Sequence, residues 1–226
     1  MSYPSILAFD TSAAHCAAAV FAGDALQETA CELMAKGQAE RILVLCEEVL
    51  AASNLSYQDL TAIAVGVGPG NFTGIRISVS AARGLALGLG IPAIPVSTFE
   101  MLRDPYGVEA EAAELVIVDA PRDTAYAQPF RYGRPTAKPE IIDPTAPPDH
   151  LRAVNLRVTG HQAEEVARHL GATANPTTAV DPAGRIARIA KWKLAKNHDM
   201  HERPAPLYVR TPDAAPARDK PPTILP

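Results

Sequence analysis

No run of apolar residues in this chain approaches the ~18 that a helical membrane span requires. No basic segment or small-residue cleavage site follows Met1-Ser2-Tyr3-Pro4, so a cytoplasmic protein is expected. Cysteine is scarce. Cys16, Cys31 and Cys46 are odd in number, none belongs to a C-x-x-C pair, and each falls in an apolar stretch. Three reduced, buried thiols are expected rather than disulfides. Positive charge is not in excess either: 21 Lys and Arg against 25 Asp and Glu give a net charge of -4, and no overall basic field draws the chain to nucleic acid. The H-x-x-x-H-type zinc signature H-E-x-x-H is absent.

What remains is an ordinary globular composition, 47% hydrophobic and 20% charged over 226 residues, enough for one large or two small cores. Residues 5–10 read as a short buried strand. Residues 16–21 read as a second, and Gly23-Asp24 marks a hairpin turn into a third at 25–33. Over 38–53, Ala39, Ile42, Leu43, Cys46, Val49 and Leu50 form a helical stripe, with Glu40, Arg41, Glu47 and Glu48 opposite. A strand at 60–67 leads into a glycine-rich loop at 66–74, then a helix over 74–89 with Thr73 as its N-cap. Pro92 ends that helix before a strand at 93–96, and Ser97-Thr98-Phe99-Glu100 is a capping-box signature. Further strands are expected at 114–120 and 154–158, and helices at 162–170 and 183–196. The proline-rich stretch 135–148 reads as irregular, and the tail after Arg203 as extended. No repeat is visible. The domain division expected is 1–103, then a smaller α/β unit over 104–204, then a proline-rich tail over 205–226.

The 74–89 helix carries only two charges, Arg76 and Arg83, seven apart and so on one face. The small residues Ser80, Gly84 and Gly88 recur every four positions, and each interior glycine costs ~1 kcal/mol of helix propensity. Close approach of another helix is the usual reason for such a row. A helix apolar on most sides must be buried on most sides. Either it is sandwiched inside one domain or it meets a second protein; Val44, set among the charges of the preceding helix, favours a partner.

Two loops have the composition of phosphate cradles. Asp10-Thr11-Ser12 follows the first strand, where hydroxyls and N–H groups suit phosphate and a carboxylate suits hydrated Mg²⁺; a capped turn is the alternative. The 66–74 loop opens a helix, as anion sites do. It lacks the Lys-Ser/Thr of a Walker A loop and the spacing of G-x-G-x-x-G, and Gly68, Gly70 and Gly74 equally suit a tight turn.

Ile6-Leu7-Ala8-Phe9-Asp10-Thr11-Ser12 resembles the opening I-L-A-[IF]-D-T-S of the TsaB (YeaZ) family. Residues 66–77, Gly-Val-Gly-Pro-Gly-Asn-Phe-Thr-Gly-Ile-Arg-Ile, resemble its G-x-G-P-G-S-F-T-G-[LIV]-R-I, and Gly84-Leu85-Ala86-Leu87-Gly88 with Pro95-Val96-Ser97-Thr98 is similar to a third motif. The likeness is strong over 5–102, and Pro206-Leu207-Tyr208-Val209-Arg210 looks like the closing P-x-Y-x-R. Two motifs depart: H-S-E-[RL]-L-L-P appears as 38–44 beginning Gln38-Ala39-Glu40, and D-A-R as Asp119-Ala120-Pro121-Arg122.

The resemblance implies an actin-like ATPase (ASKHA) α/β fold, a mixed sheet with flanking helices plus a smaller, degenerate second domain. It implies a non-catalytic partner of TsaD, with TsaE, in making threonylcarbamoyladenosine next to the tRNA anticodon. The two helices would bind TsaD, or a second copy when TsaD is absent. Ile42, Leu45, Val49, Val79 and Ser80 are expected on that surface, together with Arg76, Arg83, Gly84, Leu87 and Gly88. Asp10, Thr11, Ser12, Gly68, Gly70 and Thr73 are candidates for vestigial nucleotide loops. No tightly bound cofactor and no metal are expected; ATP or ADP would sit at a subunit junction, and tRNA would be met only through the complex. TsaD carries its metal on V-N-H-x-x-x-H; here Thr98 and Leu102 stand in place of the imidazoles, and a leucine cannot ligate metal. The six histidines (15, 150, 161, 169, 198, 201) read as lying outside the ends of strands and helices, with His198 and His201 in a solvated stretch. The alternative is an ATP-dependent kinase or ATPase of the actin-like superfamily using Asp10 with Mg²⁺. A metallopeptidase lacks a ligand set.

Overall fold

Strand β1 (Ser5–Asp10) is buried along nearly its whole length, because it lies mid-sheet with both faces covered. The computed structural model describes residues 4–103, 113–177, 181–196 and 203–210. In it β1 pairs antiparallel with β2 (His15–Ala22), and β2 with β3 (Ala25–Leu33) around Gly23 at φ 67°. On its other side β1 runs parallel to β4 (Ala62–Gly66), which pairs with β5 (Ala93–Val96), giving the order β3-β2-β1-β4-β5. Alternation sends Leu7 and Phe9 to one face and Ile6 and Ala8 to the other. Helices α1 (Gln38–Ala52) and α2 (Phe72–Leu89) cover the first face. α3 (Thr98–Leu102) follows β5, closed by the predicted capping box between Ser97 and Glu100.

The second sheet repeats this plan. β6 (Glu114–Ala120) and β7 (Thr124–Arg131) form a hairpin, β8 (Arg134–Pro135) and β9 (Glu140–Ile142) pair with β7, and β10 (Arg157–Gly160) and β11 (Thr173–Asn175) run parallel to β6, giving β11-β10-β6-β7-β8. Read from the hairpin outward, both sheets share one order, the duplicated lobe of the actin-like ATPase fold. The repeat is one of topology, invisible in the residues. Between β9 and β10 the second lobe has only a short 3-10 turn (Asp149–Leu151) where the first has α1; α4 (Ala163–Leu170) covers this sheet, ending at Gly171 as expected.

The lobes exchange helices. α3 packs Phe99 and Leu102 against Val116, Val118 and Phe130 of the second sheet. α5 (Pro182–Ala195), expected as part of the 104–204 unit, instead covers the open face of the first sheet, with Ile186, Ala187, Ile189 and Ala190 against Ile6, Ala8, Ile94 and Val96. A boundary at 103 therefore divides the strands but not the cores. Residues 211–226 of the predicted tail, and His198 and His201, lie outside the described residues.

Among described residues no helix is long and apolar enough to cross a membrane. Of the thiols, Cys16 and Cys46 are buried as expected, whereas Cys31 is exposed on edge strand β3. Burial pushes the Cys16 thiol up to about 11, and Cys46, deeper still, is pushed further in the same direction. A thiol-specific disulfide reagent should therefore modify one cysteine in the native chain and all three after denaturation, a difference read directly by absorbance.

Candidate functional site

α1 and α2 lie side by side on one face of the first sheet, and their apolar stripes divide between inside and outside. Ile42, Leu45 and Val49 of α1 and Val79 of α2 were expected on a partner surface; all four are buried in the chain's own core. The stripe spaced 42, 45, 49 is the one that meets β2. Leu43, assigned by periodicity to the buried stripe, is instead 43% exposed, next to Val44 at 46%. On α2 the outward residues are Ser80, Arg83, Gly84, Leu87 and Gly88, with Leu87 85% exposed. A β-carbon added at Gly84 or Gly88 meets no atom within 4 Å, so none of the described residues packs against the small-residue row. Arg76 is exposed one helical turn before Ser80, on the same face. Its guanidinium lies 3.7 Å from the centre of the Phe72 ring, and its Nε donates to the Tyr208 hydroxyl at 2.8 Å.

The two loops with phosphate-like composition pack on each other. Asp10 is wholly buried; its carboxylate accepts from the Ser12 amide at 3.2 Å and the Ser12 hydroxyl at 2.9 Å, and lies 2.7 Å from Nε2 of His15. His15 thus opens β2 and sits inside the site, contrary to its reading as a loop residue; His169 lies within α4. The Thr11 hydroxyl donates to Gly74 O at 2.7 Å, and the Asn71 amide donates to Ser12 O at 2.6 Å. The glycines serve this approach: added β-carbons would overlap the Asp10 carboxylate at Gly66, Ser12 O at Gly70 and Thr11 O at Gly74. Only Gly68, at φ 86°, also needs left-handed backbone. At Gly70 and Gly74 the space a side chain would take is filled by the Ser12 and Thr11 carbonyl oxygens, so the two loops meet backbone to backbone. The cap of α2 is Asn71, whose side chain accepts from the Gly74 amide, rather than Thr73, which is exposed in the first turn.

Gln38, where the family motif has histidine, clamps the first loop from α1. Its amide donates to Ala13 O at 2.7 Å and His15 O at 2.6 Å. Gln38→Ala should lower stability by about 1–2 kcal/mol, measured by denaturant unfolding, since two partly buried hydrogen bonds to the first loop are lost. Gly74→Ala should cost more, about 3 kcal/mol, because the methyl group meets backbone rather than a flexible side chain. For a chain of this size that is a melting temperature lower by roughly 6–12 °C in calorimetry. Of the positions standing where TsaD has imidazoles, Thr98 donates its hydroxyl to Pro69 O at 2.8 Å and Leu102 is buried between the sheets.

Comparison with known proteins bears on this arrangement. A family model described as "TsaD: tRNA N6-adenosine threonylcarbamoyltransferase" matches residues 30–206. The tRNA threonylcarbamoyladenosine biosynthesis protein TsaB of Escherichia coli (strain K12) is 34% identical over 148 residues, 61% of this chain and 64% of that protein. An uncharacterized Mycobacterium leprae protein is 32% identical over 229 residues, 97% of this chain and 59% of the relative. The chain thus spans less than two thirds of the length of either. A crystal structure of a Pseudomonas aeruginosa protein described as similar to peptidase YeaZ superposes with a TM-score of 0.72 at 25% identity, covering 93% of this chain and 100% of that one.

Proposed function

This chain belongs to the TsaB (YeaZ) family, within the wider TsaD-type family, and on that premise we propose that it is a non-catalytic subunit of the cytoplasmic machinery that forms threonylcarbamoyladenosine in tRNA. Its role is to bind and support TsaD, with TsaE joining the pair, while TsaD transfers the threonylcarbamoyl group. The observation that carries this reading is the outward row of Ser80, Gly84 and Gly88 with the exposed Leu87 on α2, together with Leu43 and Val44 exposed on the neighbouring α1, a surface that none of the described residues covers. Burying each large apolar side chain there is worth about 1.5–3 kcal/mol, and the glycines let a partner helix approach closely. Without TsaD the same face would pair with a second copy.

Because the two glycine loops of this chain are packed together, a nucleotide in the complex would be held at a junction with TsaD rather than in those loops. No observation favours a kinase or ATPase. The test is reconstitution with TsaD, TsaE and tRNA from the same source. The chain alone should modify no tRNA, and omitting it should abolish modification; a chain that neither binds TsaD nor is needed for modification would refute the assignment.

A further inference from the structure

The first sheet ends on β3, and among the described residues no strand pairs with its outer edge. The other outer strands are protected. β5 has four residues and contains Pro95, whose carbonyl accepts from Lys193 Nζ at 2.7 Å; β8, β9 and β11 have two or three residues each. β3 runs for nine residues without proline or lysine. In an antiparallel pair, alternate residues turn both amide and carbonyl to the partner strand. Met34 donates its amide to Ala14 O, so Glu32, Ala30 and Glu28 face β2 in the same way. Thr29, Cys31 and Leu33 therefore face the free edge, where the Thr29 amide donates to the exposed Glu28 carboxylate at 3.2 Å. Their side chains form an uncharged row that starts beside Asp181, the acceptor of the Thr29 hydroxyl, and ends at Leu33, 90% exposed.

We propose that this edge pairs antiparallel with the β3 edge of a second copy of the chain, continuing the sheet across a two-fold axis. Charge selects the register. An axis at Ala30 sets Glu28 against Glu32 of the second copy, and an axis at Glu32 sets that residue against itself, both unfavourable. An axis at Thr29 runs into the irregularity of β3 opposite Val20 and Phe21. With the axis at Cys31, Thr29 lies opposite Leu33, Cys31 opposite Cys31 and Glu32 opposite Ala30, so no like charges meet. Glu32 is also offset by Arg41, 2.6 Å away. The three outward pairs exchange two bonds each, roughly six in all, and Leu33 O takes over the Thr29 amide from Glu28. Each Leu33 side chain then lies against Thr29 and Cys31 of the other copy. The edge thus complements itself, which is why a second copy is its occupant. The pairing lies in the plane of the sheet and uses no residue of the outward face of α1 and α2.

The test uses the full-length Gly84→Leu chain, which closes the helix face to self-association, so that a dimer sensitive to β3 belongs to the edge. Sedimentation equilibrium up to about 1 mM should show a monomer–dimer equilibrium. Adding Leu33→Lys should weaken it about tenfold or more, since one substitution removes two leucines across the axis. Cys31→Pro should do the same, because its ring removes an outward amide and leaves the ladder to β2 whole. Bismaleimidoethane should join two chains through Cys31, whose α-carbons lie about 5.5 Å apart in such a pair; Cys16 and Cys46 are buried, and Cys31→Ser should abolish the link. Exchange of the Cys31 and Leu33 amides should slow as concentration rises. Melting curves check that each variant folds; should Cys31→Pro not fold, Leu33→Lys decides. Three results overturn the proposal: a Gly84→Leu chain that stays monomeric, a dimer indifferent to both β3 variants, or edge amides protected equally at every concentration, as another segment of the same chain would leave them.

Discussion

Gly84→Leu should leave the chain folded, with a melting temperature about 2–3 °C higher when both are compared as monomers at low concentration, while weakening association with TsaD by about 100-fold or more. The first effect follows from helix propensity: leucine is better than glycine by about 0.8 kcal/mol inside an exposed helix, and a side chain added at Gly84 meets nothing within 4 Å. The second follows from the proposed seam. A leucine standing on the surface where two helices come within backbone contact holds them apart, and the burial of Leu87, Leu43 and Val44 is lost with the fit. Size-exclusion chromatography and calorimetric titration with TsaD read the loss, and a melting curve reads the gain. Undiminished binding would move the interface to another face.

The second large effect concerns residues 1–103. This fragment contains every strand of the first sheet and all of α1, α2 and α3, yet it should show no cooperative thermal transition and should bind hydrophobic dyes. Its missing piece is α5, whose Ile186 and Ile189 cover Ile6, Ile94 and Val96. Five such side chains at 1.5–3 kcal/mol each amount to roughly 8–15 kcal/mol, comparable with the whole stability of a domain. α3 would also lose the Val116, Val118 and Phe130 surface on which Phe99 and Leu102 rest. Joining residues 181–196 to the fragment through a flexible linker should restore a transition, seen by calorimetry. A fragment that melts cooperatively on its own would show that the exchanged helix is dispensable.

Sequence patterns located the first lobe well because its elements are long and clearly punctuated. β1 and β2 are apolar runs, the chain turns back at Gly23 into the alternating β3, and α2 runs until Gly90 and Pro92. The second lobe was harder to read. β7 begins after a turn whose left-handed residues are Arg122 and Asp123, at φ 66° and 55°, where a hairpin is ordinarily announced by glycine or asparagine. β9 lies within the proline-rich stretch, and β11 has three residues. α5 was placed correctly along the chain but on the wrong sheet, because periodicity reports that a helix has a buried face and not what buries it. The same ambiguity put Ile42, Leu45, Val49 and Val79 outside. Gly84 and Gly88 stand out for a different reason: glycine inside an exposed helix costs propensity, and none of the described residues packs against either position. The interlocking of Thr11 and Ser12 with the glycine loop left no local signal, since its partners lie more than fifty residues apart.

That interlocking has a mechanical consequence for α2. Its first turn is bolted to the end of β1 through Thr11, Ser12 and Asn71, with no slack between strand and helix, so the direction in which the helix points is set before any encounter. A recognition surface on such a rigid mount loses little freedom on docking and requires no slow rearrangement, which favours fast capture of a partner with most of the contact energy retained as affinity.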